Sequence, residues 1–314
     1  MKLPVLQIGD LTPKYPIIQG GMAVRISTAP LAAAVANAGG IGIIAISGMT
    51  IDEVKREIRW ARENSRGIIG INIMFAVSQF AQLVNAALEE GVDLIIQGAG
   101  FSRDIFKWCK EAKTPLVPIV STVKLAKLSE GLGASAVVVE GKEAGGHLGT
   151  SQSMREIVPQ VKQAISIPVI AAGGIVDAHD MKEAFDLGAD GVQMGTRFAA
   201  SIESNAALNL KEIYVKAKKE DIVLIDSPVG LPGRAISNVF SEKINSEYDL
   251  SPENCQACLK NCKQNFCIMD ALINAQRGNL DHGLIFCGEY IEKIKEILPA
   301  GDIIKKLVKD LELL

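Results

Sequence analysis

A chain of 314 residues is long enough for one large domain with an appendage, and its formal charge of −3 leaves no basic excess to hold a nucleic acid. Hydrophobic residues make up 48% and aromatics only 5%, a balance that suits buried Val, Ile and Ala strands in a parallel sheet covered on both faces. No apolar run reaches the ~18 residues of a membrane helix, and Met1-Lys2-Leu3-Pro4-Val5 turns polar too soon for a signal peptide, so a cytoplasmic protein is expected.

From the amino end, strand and helix patterns alternate. Residues 16–19 form a short β run ending in Gly20-Gly21-Met22, and 28–37 an alanine-rich helix stopped by Gly39-Gly40. A strand over 41–45 and an amphipathic helix over 51–63 follow, then a strand over 68–74 with Asn72 near its end. Residues 80–90 read as helix, 93–97 as a strand ending at Gly98-Ala99-Gly100, 103–112 as helix and 115–120 as a fifth strand. Helix 123–132, strand 136–140 and helix 154–164 come next; strands over 168–172 and 191–194 then enclose a helix over 177–187. Eight β runs, each followed by a helical pattern, predict a (β/α)8 TIM barrel rather than a meander or an open sheet. The G-x-G-x-x-A of Gly40-Ile41-Gly42-Ile43-Ile44-Ala45 is no dinucleotide fingerprint, because its glycines follow a helix and lead into a strand.

Past residue 221 the rhythm breaks. Ser227-Pro228-Val229-Gly230-Leu231-Pro232-Gly233-Arg234 reads as a loop dense in breakers. Cysteines crowd 254–267, while 268–276, 290–298 and 302–313 carry helical patterns. The expected division is a barrel over 1–221 and a cysteine-containing, helical extension over 222–314 packed on it.

The last two strands end in Ala171-Ala172-Gly173-Gly174 and Gln193-Met194-Gly195-Thr196. Glycines there leave main-chain N–H groups free for a phosphate, so a phosphorylated cofactor or substrate is expected. The plainer alternative is a pair of ordinary tight turns. After the sixth strand, Glu140-Gly141-Lys142-Glu143-Ala144-Gly145-Gly146-His147-Leu148-Gly149 presents an imidazole between glycines, where it can exchange protons near neutral pH. The alternative is a capping or solvent-facing histidine. His179 is expected at the surface and His282 in a turn.

Of six cysteines, Cys109 stands alone and Cys287 follows a tail cluster, Cys255-x2-Cys258-x3-Cys262-x4-Cys267. Four thiolates at such spacing suit an iron–sulfur cluster or zinc. Against this stands a set of reduced thiols on a helical hairpin, with Cys267 buried beside Phe266 and Ile268.

Gln19-Gly20-Gly21-Met22, Gly70-Ile71-Asn72-Ile73-Met74, Glu143-Ala144-Gly145-Gly146-His147-Leu148-Gly149, Ala171-Ala172-Gly173-Gly174-Ile175 and Gln193-Met194-Gly195-Thr196-Arg197-Phe198 together resemble the nitronate monooxygenase (2-nitropropane dioxygenase) family. That family includes the flavin-dependent enoyl-acyl-carrier-protein reductase, and the likeness runs over about 16–238. It implies a (β/α)8 barrel binding FMN non-covalently, held by Gly21, Met22, Asn72, Glu140, Gly145, Gly173, Gly174, Gln193, Met194, Gly195 and Thr196. It also implies that the phosphate sits on the last two turns, that Met22 lies near the ring and that His147 is catalytic. Glu140 departs from the glutamine common in the family. A carboxylate there disfavours negative charge on a reduced ring unless it is protonated or paired, with Lys124 or Lys142 as candidate partners. The implied reaction is oxidation of alkyl nitronates by dioxygen. The alternatives are reduction of an enoyl thioester by NAD(P)H and a non-redox phosphate-binding barrel such as a phosphosugar isomerase or lyase. The spacing of the first three of these cysteines resembles the cluster-binding segment of the dienoyl-CoA reductases, where the fourth cysteine comes later, and implies a ferredoxin-like electron donor. Each reading is compatible with a homo-oligomer.

Overall fold

In the computed structural model, which describes residues 3–98 and 100–314, β and α segments alternate as the sequence predicts. Met1, Lys2 and the Ala99 of the expected fourth strand end lie outside the described residues. The first half runs β1 (Ile17–Gln19), α1 (Ala29–Asn37), β2 (Ile41–Ala45), α2 (Ile51–Asn64), β3 (Ile68–Met74), α3 (Phe80–Glu89), β4 (Leu94–Gly98) and α4 (Asp104–Glu111). Then come β5 (Leu116–Val120), α5 (Val123–Gly131), β6 (Val137–Glu140), β7 (Gly146–His147), α6 (Met154–Ala164), β8 (Val169–Ala172), α7 (Ala178–Asp186) and β9 (Gly191–Met194). The remainder is α8 (Thr196–Ala199), α9 (Leu208–Lys216), β10 (Ile222–Asp226), β11 (Pro232–Ile236), α10 (Val239–Ile244), α11 (Ile268–Gln276) and α12 (Ala300–Glu312). Among the described residues no helix is long and apolar enough to cross a membrane.

Local chemistry sets the helix starts. Thr50 with Glu53, Ser153 with Glu156 and Asp177 with Asp180 form reciprocal caps at the fronts of α2, α6 and α7. The strands are buried almost throughout, which explains their Val and Ile content. β1, β2, β3, β4, β5, β6, β8 and β9 close into a barrel. Its seam is the parallel pair β1–β9, with Gln19 opposite Met194. Side chains alternate: Ile18, Ile43, Ile96, Val138 and Ile170 fill the interior, while Ile44, Ile71, Val137, Val169 and Val192 meet the helices.

The carboxyl-terminal third differs from expectation in two places. Residues 227–234 are not wholly loop: β11 begins at Pro232 and pairs antiparallel with β10 on one side and with β7 on the other. Proline suits the first residue of a strand, where its missing N–H breaks no ladder. Residues 290–298 are not a helix; only Ile291–Lys293 makes a 3-10 turn. The Glu296 carbonyl accepts the Arg197 guanidinium and the Leu298 carbonyl accepts the Ile202 N–H, which removes those carbonyls from any helical ladder. The last helix, α12, packs against α1 and α7. That is the position of the eighth helix in a barrel's outer ring.

Candidate active site

At the carboxyl ends of the strands a cavity of about 240 Å³ opens between the barrel and the later segments. The structure brings Gly21, Met22, Asn72, Glu140, Gly145, His147, Gly173, Gly174, Gln193, Met194, Gly195 and Thr196 together on its wall. An outer wall with no signature in the sequence comes from Leu210 and Tyr214 of α9, Leu272 and Ala275 of α11, and Leu284, Phe286, Tyr290 and Ile291.

Gln19 ties down the loop after β1. Its fully buried carboxamide donates to the Gly20 carbonyl at 2.6 Å and to Ser27 Oγ at 3.0 Å, and accepts the Ile43 N–H. Ser27 Oγ in turn accepts the Met22 N–H. Gly21 lies so close to Asn72 that a Cβ there would sit 2.3 Å from the Asn72 Cβ. Across the cavity, Gly173 and Gly174 both adopt left-handed backbone, at φ +96° and +72°. Their N–H groups have no hydrogen-bond partner among the described residues. Gln193 Oε1 is buried and likewise without a partner. Free amides in a glycine turn beside an orphaned carboxamide oxygen fit a ligand with a phosphate and a polar ring edge.

His147 is positioned by the sheet that the sequence did not reveal. It pairs with Gly233 on β11, and its Nε2 lies 2.7 Å from Oγ of the fully buried Ser227. Its ring meets Phe286 edge-on at 5.2 Å between centroids. Burial pushes its pKa down to about 4, so the imidazole is neutral at pH 7. Arg234 clamps the preceding loop, donating to the carbonyls of Lys142 and Ala144 while facing Glu289 at 3.3 Å. Buried Glu143 completes the clamp through Ser153 Oγ and the Met154 N–H.

Glu140 ends β6 on the cavity wall, and burial pushes its pKa up to about 7. Among the described residues neither Lys124 nor Lys142 forms an ion pair with it. Its charge is therefore limited by desolvation and not by a cationic partner. Tyr290 stacks beside Gly174 and takes a hydrogen bond from Arg155, itself paired with Glu183. Ser227, Arg234, Phe286 and Tyr290 escaped the sequence reading; their only signal was local, and their contacts are long-range.

His179 is exposed on α7, and His282 sits in the 3-10 turn Leu280–His282. All six cysteines are free; Cys109 and Cys287 are buried, and burial pushes both thiols up to about 12. Residues 254–267 form no helix, so the expected helical hairpin is absent there. Cys255, Cys258, Cys262 and Cys267 line one small recess, although among the described residues no three metal-type side chains converge to hold a single ion.

A family model described as nitronate monooxygenase matches residues 6–84 and 60–310. A probable nitronate monooxygenase of Staphylococcus saprophyticus is 32% identical over 295 residues, covering 79% of this chain and 82% of its own. FabK from Thermotoga maritima shares the structure at a TM-score of 0.87 and 36% identity, over 96% of this chain and 94% of that one. Nitroalkane oxidase from Streptomyces ansochromogenes, at 24% identity and a TM-score of 0.82 over 96% of each chain, is alike in fold.

Proposed function

The chain belongs to the nitronate monooxygenase family and to its class of FMN-dependent oxidoreductases, and on that premise we propose that the barrel-mouth cavity holds FMN and oxidises alkyl nitronates with dioxygen. One observation carries the assignment of the site: the unpartnered Gln193 Oε1 and the free amides of Gly173 and Gly174 face the same cavity as His147. Gly173, Gly174, Gly195 and Thr196 would hold the phosphate, while Met22, Asn72, Glu140, Gly145 and Gln193 would surround the ring. Bound there, FMN would supply the redox chemistry between the substrate and dioxygen.

The protein's own part is to bind, orient and manage protons. A neutral imidazole has one donor and one acceptor nitrogen. With Nε2 held by Ser227, Nδ1 of His147 is the nitrogen left for the nitro oxygens or for a proton in transit. Burial pushes the Glu140 pKa up to about 7, and in its neutral form it would donate a hydrogen bond toward a bound ring and so would not oppose negative charge there. A cytoplasmic location is supported by the six free thiols. The flavin reading needs nothing from the four cysteines of the tail.

A second reading, reduction of an enoyl thioester by NAD(P)H, is favoured by the apolar outer wall of Leu210, Leu272, Leu284, Phe286 and Ile291, which suits an acyl chain. Purified protein should show flavin absorbance and release FMN on denaturation. It should then consume oxygen with alkyl nitronates. Oxidation of NAD(P)H driven by a crotonyl thioester, with nitronates inert, would replace the first reading by the second. A colourless protein that refuses added FMN would leave a non-redox phosphate barrel in place of both.

A further inference from the structure

Ser227 opens the turn between β10 and β11, and its side chain meets the histidine of β7. The turn is closed by its own backbone: the Gly230 N–H donates to the Ser227 carbonyl at 2.9 Å, and the Ser227 N–H to the Leu231 carbonyl at 3.3 Å. From outside, the Pro228 carbonyl accepts the Lys263 N–H. The Leu148 N–H donates to the Pro232 carbonyl, so β7 and the turn are fixed to one another. Phe286, edge-on to the imidazole, is held in turn through its carbonyl, which accepts the Tyr214 hydroxyl at 3.1 Å.

Hydrogen bonding then decides where the single proton of the neutral imidazole sits. Ser227 is fully buried, so its hydroxyl needs an acceptor inside the protein. Among the described residues its Oγ has two hydrogen-bond neighbours, the Val229 N–H at 3.4 Å and His147 Nε2 at 2.7 Å. The first is a donor. A proton on Nε2 would make the second a donor as well and leave the Ser227 O–H without an acceptor. With Nε2 bare, the hydroxyl donates to it and accepts from Val229, and every group is paired. We propose that Ser227 is a positioning residue that fixes the proton of His147 on Nδ1, so that the histidine faces the cavity as a hydrogen-bond donor and not as a base. Nδ1 has no partner among the described residues, and His147 lines the cavity. Such a donor suits an oxygen that carries or gains negative charge, whether of a nitronate or of a thioester carbonyl. In this role no proton leaves the ring.

The role toward substrate rests on the flavin reading, whereas the tautomer does not, and the test keeps them apart. Nitrogen NMR of full-length protein with isotope-labelled histidine, with and without FMN, reads the tautomer, because protonated and bare ring nitrogens resonate far apart. The chain has three histidines, of which His179 and His282 are exposed, and the signal lost in His147→Gln identifies the third. The wild type should carry the proton on Nδ1 in at least about fivefold excess, the effect of one unpaired buried donor. Ser227→Ala should move that ratio at least about fivefold toward Nε2, and Ser227→Thr, which keeps a hydroxyl, should restore it. A merely structural serine would alter the melt and leave the ratio alone. A proton on Nε2 in the wild type overturns the proposal whether or not the variants fold. Turnover is then measured with ethyl nitronate and oxygen and with a crotonyl thioester and NAD(P)H. His147→Asn carries an amide N–H on the branch of Nδ1, whereas His147→Ala has none. On the substrate that the wild type consumes, His147→Asn should exceed His147→Ala at least about tenfold, part of what a well-placed donor contributes. Equal rates would overturn the donor role. A protein that refuses FMN yet holds the proton on Nδ1 would remove the flavin reading and uphold the tautomer.

Discussion

Burial moves two titratable groups of the cavity in opposite directions, Glu140 up to about 7 and His147 down to about 4, because in both cases it penalises the charged form. The consequences for stability have opposite signs. Glu140 has a folded pKa above its ordinary 4.5, so its contribution is present below that value and is lost as pH rises through about 7. His147 has a folded pKa below its ordinary 6.5, so its contribution is present above that value and is lost as pH falls through about 4. Glu140→Gln removes the first limb alone. Thermal denaturation of flavin-free protein should show no gap between wild type and variant near pH 4, and a gap in the variant's favour that widens to pH 8. Parallel curves would mean that Glu140 ionises freely in the fold. The imidazole is tested by a pair of variants. His147→Ala should keep FMN and lose a factor of about 10² to 10⁴ in turnover. Ser227→Ala, which leaves the ring in place but unheld, should lose up to about tenfold, the worth of one hydrogen bond. If Ser227→Ala falls as far as His147→Ala, Ser227 does more than position the ring.

At the scale of elements, the glycines of the two phosphate-type turns differ in a way that separates fold from ligand. Gly174 combines φ +72° with crowding, since a Cβ would lie 2.8 Å from Tyr290 and 3.0 Å from the Glu143 Cβ. Gly174→Ala should therefore cost on the order of 1–3 kcal/mol of stability as well as FMN affinity. Gly195 has ordinary φ and room, its nearest neighbour being Met22 at 3.8 Å. Gly195→Ala should melt like the wild type yet bind FMN at least tenfold more weakly, as read by fluorescence titration. Undiminished binding would move the phosphate away from that turn. Such glycines made much of the cavity legible from sequence, because a turn that needs left-handed backbone or close approach advertises itself locally. The barrel was legible for a related reason: capping pairs and runs of Val and Ile mark each unit within a few residues. The sheet behind His147 was not. β7 is two residues long, too short for any alternation, and Ser227 lies 80 residues from the histidine it holds. The helical pattern over 290–298 misled because Arg197, in a distant part of the chain, claims the Glu296 carbonyl.

The whole molecule is closed by a helix that the linear division assigns elsewhere. A boundary at residue 221 puts α12 in the extension, but its packing against α1 and α7 puts it in the barrel's ring. We propose that the working units are the barrel with α12 and an insertion of 222–299 that roofs the cavity and carries the cysteine segment. Energetics make the proposal testable. Ile303, Ile304, Leu307 and Leu311 of α12 are buried at 5% exposure or less, and Ile304 also reaches Gly40 at the start of β2. At ~1.5–3 kcal/mol for each buried side chain, their loss would remove roughly 6–12 kcal/mol, comparable with the whole stability of a typical domain at ~5–15 kcal/mol. A chain ending before Ala300 should therefore lose the cooperative melt of the barrel and not merely shed a tail. Ile304→Ala, a milder cut, should cost about 2–5 kcal/mol and lower the melting temperature with a single transition. An appendage would behave otherwise: the truncated barrel would keep its melting temperature and its FMN, and Ile304→Ala would split the melt into an early loss of the tail and an unchanged second step.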